Sequence, residues 1–373
     1  MEYLSTTHLF WYHKKSPWVQ IPSEFTHLGK ESMVACLSLE KSLQPNFDFV
    51  ETNIVYKRKL ISVLVETIKV YKLFFKHKPN IFFQVNVRSP FFPVIIYRKI
   101  VSAIYKTAFP TLSILKLDWD GEDDNVSNIA FNIRKLLISI NSIFFDLIIT
   151  ESSCASNRLP KFLLFDAKKL RVIPNGYPYD TPAVHTTSRI NREDLILCVA
   201  RFNRIKGQDL LITAFYNISK DFPDWKLVMV GKDEDSEYID ELRSIVIGYG
   251  MQDRIFLFTN ISDKVLYDYY FKSKIFCLPS YKEGFANVRI EAIASGLPVL
   301  TSDAGCGLDI DPTGEYVFER GNLLDLQKKL LKLLSSEINR NTLYLRQKSI
   351  LLSYKDIVEL LIREYYNKYP EEE

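Results

Sequence analysis

The chain has 373 residues, 47% of them apolar and 25% charged, with 48 Lys and Arg against 45 Asp and Glu. A net charge of only +3 speaks against a dedicated nucleic-acid binder, and the composition against a disordered or low-complexity chain. The length exceeds one ordinary core and predicts two domains of roughly 150 to 190 residues each.

The first residues, "MEYLSTTHLFWYHKKS", lack the basic start and apolar core of a secretory signal. No uncharged apolar run reaches the roughly 18 residues that span a bilayer, so the expectation is a cytoplasmic protein that is not inserted. The five cysteines are widely spaced, odd in number and form no Cys-x-x-Cys pair, which indicates neither a zinc site nor a disulfide framework. His8, His13, His27, His77 and His185 show no metal-ligand spacing either.

Residues 51–110 carry eleven Lys and Arg against two Glu, a local balance of +9. Within them "KRKLISVLVETIKVYKLFFKHK" (57–78) has helical period, with Lys69, Lys72 and Lys76 recurring along one side. Two readings stand side by side: a solvated helix face, or a surface that docks on an anionic membrane.

Further along, "NIFFQVNV" (80–87), "TLSILKLD" (111–118) and "FDLIITES" (145–152) read as strands, and "NIAFNIRKLLISI" (128–140) as a helix. Between them lies an acidic stretch with Asp118, Asp120, Glu122, Asp123 and Asp124. It is open to three readings: a solvated turn, a carboxylate offered to a substrate hydroxyl, or a metal site. "RVIPNGYPYDTPAV" (171–184), rich in turn residues, marks the approach to a linker, and the boundary is placed near residue 185.

The second half alternates more clearly. Strands are expected at 195–200, 226–231, 254–259, 275–280 and 298–302, with helices in each gap between them. Strands apolar on both faces and joined by helices make a parallel sheet covered on both sides, with ligands outside the strands' carboxyl ends. The expected layout is domain 1 at 1–185, domain 2 at 186–350, and a C-terminal helix at 351–373 packing back on the first domain.

Ligand-like residues gather in the carboxyl-end loops. In "ARFNRIKGQ", Arg201 and Lys206 flank a turn into a helix, an arrangement suited to a diphosphate and also to a plain solvated loop. In "SYKEGFANVRIEAIASGLPVLTSD" (280–303), Glu283 and Glu291 stand eight residues apart. Either carboxylate can accept from the hydroxyls of a vicinal diol, and the turn from Gly284 through Phe285 and Ala286 to Asn287 can bring backbone N–H groups close to a sugar. Taken singly, each glutamate equally fits a structural role.

Taken together, these residues resemble the E-x7-E motif, strand-loop and pre-linker turn of retaining glycosyltransferase family 4, the glycosyl transferases group 1 class. The resemblance covers roughly residues 171–321. It implies an α/β GT-B fold, two Rossmann-like domains whose parallel sheets face across a cleft. It also implies a hexosyltransferase using a nucleoside diphosphate sugar, with no cofactor and no metal.

By that resemblance Arg201 and Lys206 neutralise the diphosphate, Glu291 accepts from the ribose, and Glu283 with residues 284–287 holds the sugar. The acceptor is a glycan or lipid-linked hydroxyl on the first domain, where Asp118 and Asp120 stand in for the family's histidine. Three departures stand out: Ala286 where glycine is frequent, no N-terminal glycine-rich loop, and no histidine after the central strand. The rival expectations are a catalytically silent partner-binding protein and a sugar-nucleotide epimerase on the same fold.

Overall fold

The structure is a computed structural model that describes residues 2–6, 17–36, 48–51, 72, 76–85, 110–117, 136, 138–140, 142–162, 166–177 and 192–370. The chain divides into two compact units, Met1–Pro178 with Leu352–Glu373, and Tyr179–Leu351. The linker expected near 185 lies outside the described residues.

Unit 1 holds β1 (Glu2–Thr6), α1 (Pro17–His27), β2 (Glu31–Cys36), β3 (Asp48–Glu51), β4 (Ile81–Val85), β5 (Leu112–Leu117), β6 (Leu147–Thr150), α2 (Ser153–Phe162) and β7 (Leu170–Val172). All seven strands are parallel, in the order β3-β2-β1-β4-β5-β6-β7. The strands read from the sequence in this half are β4, β5 and β6. Of the expected helix at 128–140, residues 136 and 138–140 are described and helical.

One sheet face presents Ile81, Phe83, Leu112, Ile114, Leu147 and Ile149 to Ile21 and Phe25 of α1. The same cluster receives Tyr354, Ile357, Val358, Leu361 and Tyr365 from the last helix, which belongs to this unit. The alternate residues Phe82, Leu115 and Ile148 are equally buried, as strands covered on both faces require.

Unit 2 runs β8 (Leu195–Val199), α3 (Gln208–Ile218), β9 (Lys226–Gly231), α4 (Ser236–Gly248), β10 (Ile255–Thr259), α5 (Asp263–Lys272), β11 (Ile275–Leu278), α6 (Asn287–Ala294), β12 (Val299–Ser302), α7 (Gly307–Ile310), β13 (Val317–Phe318), α8 (Leu323–Leu334) and α9 (Glu337–Lys348). Its six parallel strands follow the order β10-β9-β8-β11-β12-β13. Helix starts follow the side-chain capping rule: Asp235, Ser262, Asn322 and Ser336 each accept from a backbone N–H of the following turn. α10 (Tyr354–Lys368) opens on a capping box between Ser353 and Asp356 and returns the chain to unit 1.

In unit 2 the strand order reverses between β8 and β11. The chain leaves β8 to build outward through β9 and β10, then comes back beside β8 and builds the other way. Loops therefore diverge at the carboxyl ends of β8 and β11, leaving a crevice where open α/β sheets bind ligands.

Candidate functional site

Of the residues singled out in the second half, Lys206 and Glu283 meet at that crevice. β8 is followed by a single 3-10 turn, Arg204–Lys206, and then Gly207 in the left-handed region at φ 65°. A Cβ on Gly207 would lie 2.4 Å from the Pro279 carbonyl oxygen, so the post-β8 and post-β11 loops touch through a glycine that nothing larger replaces. The Tyr281 N–H donates to the Ile205 carbonyl at 2.8 Å and locks the two loops together.

This contact brings Lys206 to Glu283. Lys206 Nζ donates to Glu283 Oε1 at 2.7 Å, and both side chains are 10% exposed. Ser280 Oγ donates to the same oxygen at 2.6 Å, while Ser302 Oγ of β12 holds the Ser280 carbonyl at 2.6 Å. Glu283 Oε2 has no hydrogen-bond partner among the described residues. One carboxylate oxygen is thus fixed by the protein and the other is available.

Glu291 lies on α6, and its Oε2 accepts from Tyr270 Oη of α5 at 3.1 Å. Burial, with Glu291 beside it, raises the Tyr270 phenol well above its ordinary pKa, so the phenol is a donor at any physiological pH. Phe285 is buried, Gly284 and Asn287 are exposed and Ala286 is half-buried. The sequence left the conformation of residue 286 open. It is left-handed, at φ 61° and ψ 78°, and it caps α6 without a side-chain bond.

Arg201 stands apart from the Lys206–Glu283 pair. It is exposed and its guanidinium is ion-paired with Glu234 in the loop after β9, which also accepts from Asn203 Nδ2 at 3.3 Å. Arg204 pairs with Glu241 of α4 and lies over the Tyr238 ring at 5.2 Å from its centroid. The Tyr238 hydroxyl donates to Asp209 Oδ1 at 2.8 Å, so α4 braces the start of α3 and the loop before it.

Arg289 is a residue that sequence reasoning missed. It lies on α6 two positions before Glu291, is wholly buried, and donates to the carbonyls of Gly305 at 2.9 Å and Ala304 at 2.6 Å. Burial lowers its pKa to about 10, which still leaves it protonated at neutral pH. A lone basic residue between Val288 and Ile290 was the available signal. The two thiols of adjacent strands, Cys198 and Cys277, are buried and free. Burial pushes Cys198 up to about 12 and Cys277 well above its usual range, which removes both as nucleophiles.

In unit 1, Asp118 and Asp120 lie outside the described residues, as does Lys69; Lys72 and Lys76 are helical and exposed. Lys116 at the end of β5 is buried, ion-paired with Glu151, and donates to Asn175 Oδ1 at 2.9 Å. Among the described residues, no group of three or more His, Cys, Asp or Glu is placed to hold a metal ion.

Residues 182–349 match the family model described as glycosyl transferases group 1. An uncharacterized glycosyltransferase of Haemophilus influenzae is 32% identical over 175 residues, 46% of this chain and 47% of that protein. The capsular polysaccharide biosynthesis glycosyltransferase CapM of Staphylococcus aureus is 30% identical over 156 residues, 41% of this chain and 40% of that protein. The chain thus spans less than half the length of these curated relatives.

Solved structures match over the whole chain. A glycosyltransferase from Rickettsia africae superposes with a TM-score of 0.76 at 16% identity, covering 100% of this chain and 99% of the other. Anabaena HepE, solved with UDP and glucose, gives 0.69 at 15% identity over 97% and 98%. At such identities the likeness speaks for fold, and that fold is GT-B. Residues 182–349 are a domain of the glycosyl transferases group 1 family, set in a chain of GT-B fold.

Proposed function

We propose that the chain is a retaining glycosyltransferase that moves a hexose-type sugar from a nucleoside diphosphate to a hydroxyl acceptor, a glycan or a lipid-linked one. The observation that carries this reading is the Lys206–Glu283–Ser280 cluster at the switch point of a group 1 domain, with Glu291 one helix turn beyond. HepE was solved with UDP, and CapM is named for capsular polysaccharide biosynthesis; both fit such a donor and acceptor.

Breaking the anomeric C–O bond builds oxocarbenium-like charge on the sugar and negative charge on the leaving diphosphate. Lys206 is the fixed donor for that developing charge. Glu283, held by Lys206 and Ser280 on one oxygen, offers the other to a sugar hydroxyl. Glu291, oriented by Tyr270, accepts from the ribose diol. Arg201 reaches the diphosphate by exchanging Glu234 for it, an exposed pair that costs little to open. In the retaining route the leaving phosphate takes the acceptor's proton on the face it departs from.

The acceptor binds unit 1, where Asp118 and Asp120 are the carboxylates assigned to its hydroxyl. No metal takes part, because cations of the chain do the phosphate work. The protein acts in the cytoplasm, at the inner face of the membrane. Among the described residues, no helix is long and apolar enough to cross a membrane.

The test is release of nucleoside diphosphate from a panel of sugar nucleotides, with and without membrane lipid extract, and with EDTA. Acceptor-dependent release that persists in EDTA is expected. An altered free sugar nucleotide made without acceptor would identify an epimerase. No turnover of any donor would point to a silent partner-binding relative, and loss in EDTA restored by a divalent ion would turn the acidic stretch into a metal site.

A further inference from the structure

The two cations assigned to the diphosphate are each already neutralised. Arg201 is ion-paired with Glu234 and Lys206 with Glu283. Arg204, between them in sequence, is paired with Glu241. Three basic residues in the post-β8 loop thus bring almost no net charge, and a doubly anionic group needs another source of attraction.

Arg289 differs from all three. It is 0% exposed, and among the described residues no carboxylate lies within ion-pair distance of it. Its guanidinium meets only the neutral carbonyls of Ala304 and Gly305, and its Nε makes no hydrogen bond. Glu283, Asp309 and Asp303 act on it from a distance, Glu283 most strongly. A charge buried without a counter-ion is expensive and its field is little screened by solvent. Packing does not demand it, since a Leu or Met fills such a place at lower cost.

Its position is close behind the sugar-facing loop. Gly305 is left-handed at φ 57°, and a Cβ there would lie 2.5 Å from Glu283 Cβ and 2.6 Å from the Gly284 carbonyl oxygen. Arg289 therefore grips the layer of backbone on which Glu283 and Gly284 rest. The same residue's N–H donates to the Ala286 carbonyl at 2.9 Å, so it also closes the turn that opens α6.

We propose that Arg289 makes this site electropositive: a positioning residue whose buried cation attracts the diphosphate through the Gly305 and Glu283–Gly284 layer without touching it. The ligand class rests on the donor reading above. The cation acts in a low-dielectric setting and is preorganised, so it lowers the energy of a bound anion without moving. It also explains why Lys206 can remain paired with Glu283 and keep that carboxylate in place while the site still holds an anion.

The experiment measures inorganic pyrophosphate binding by calorimetry for wild type, Arg289→Lys, Arg289→Gln and Arg289→Met, beside unfolding temperatures and a parallel titration with UDP, GDP and ADP. Arg289→Lys should bind pyrophosphate close to wild type, whereas both neutral variants should lose roughly tenfold. Arg289→Gln keeps a donor for the carbonyls, so a loss in it at near-native unfolding temperature is charge and not collapse.

Equal pyrophosphate affinity in wild type and the neutral variants would overturn the proposal. So would a loss in Arg289→Lys as large as in Arg289→Gln, or folding of the Lys variant with failure of both neutral ones, either of which assigns Arg289 to structure alone. Pyrophosphate binding with the expected pattern, but with no nucleoside diphosphate bound more tightly, would sink the donor reading and leave Arg289 standing. Absence of any anion binding in wild type would end both.

Discussion

Glu283 and Glu291 carry the same chemical group, and their surroundings give them different work. Glu283 is pinned on one oxygen by a lysine and a serine, whereas Glu291 has a buried tyrosine hydroxyl for a partner. Replacing Glu291 by Gln keeps the shape and the Tyr270 contact but removes the negative charge to which, on the proposed function, the ribose diol would donate. A hydrogen bond to a charged group is worth about 1.5 to 3 kcal/mol, so the binding nucleoside diphosphate should weaken by roughly tenfold or more with the unfolding temperature unchanged. Unaltered affinity would remove Glu291 from the site. Ala286 gives a second test at this scale. A left-handed non-glycine residue costs roughly 1 to 2 kcal/mol, while glycine gives back about 0.4 to 1 through the unfolded chain. Ala286→Gly should therefore raise stability by up to about 1.5 kcal/mol, read as a higher denaturant midpoint; a fall would mean the Ala286 methyl contributes packing that outweighs its strain. The spacing of the two glutamates was legible in the sequence, but the ion pairs of Arg201 and Lys206 were not, because Glu234 and Glu283 reach them from other strands.

At the scale of elements, the second sheet was readable nearly to the residue: strands expected at 226–231 and 275–280 are Lys226–Gly231 and Ile275–Leu278. Strands buried on both faces show as unbroken apolar runs, and turn residues punctuate them. The first sheet was less readable. β1, β2 and β3 carry Glu2, Glu31, Asp48 and Glu51 at their ends, and these polar residues break up the apolar signal that the inner strands give. Asp146 helps to fasten α10 to the first sheet. Its carboxylate is ion-paired with Lys368 in the last turn of α10 and accepts from Ser113 N at 2.9 Å and Ser113 Oγ at 2.7 Å on β5. Burial opposes ionisation of Asp146, but Lys368 and Ser113 overcome it and bring the pKa from 3.8 down to about 2. The folded value lies below the unfolded one, so the stabilisation is fully present above pH 3.8 and is lost as pH falls through about 2. Asp146→Asn should cost about 2 kcal/mol at pH 7 and progressively less across that acid window, as measured by denaturant unfolding. A cost independent of pH would show that the carboxylate acts by shape and not by charge.

At the scale of the whole molecule, the second unit carries the family match, and the first unit carries the uneven charge. The family match covers residues 182–349 and so falls on the second unit. In the first unit the sequence offered a charge asymmetry, open between a solvated helix face and a docking surface. Lys72 and Lys76 are each helical and exposed, and their spacing of four residues is the one that puts two side chains on one side of a helix. Lys69, three residues before Lys72, falls on that side by the same period but lies outside the described residues. If the face is a docking surface, each lysine contributes on the order of a fivefold gain in partition to an anionic bilayer, and the three together roughly a hundredfold. Changing Lys69, Lys72 and Lys76 to Gln should then abolish co-sedimentation with phosphatidylglycerol vesicles at low salt. The wild-type protein should itself release at high salt, because charges held at a surface are screened beyond about one Debye length. Neutral phosphatidylcholine vesicles should bind neither form. A wild type that stays in the supernatant at low salt, or a triple variant that sediments as well as wild type, would make the stripe a solvated helix face. On the proposed function, an acceptor would then have to reach the protein from solution, with no lipid surface to present it.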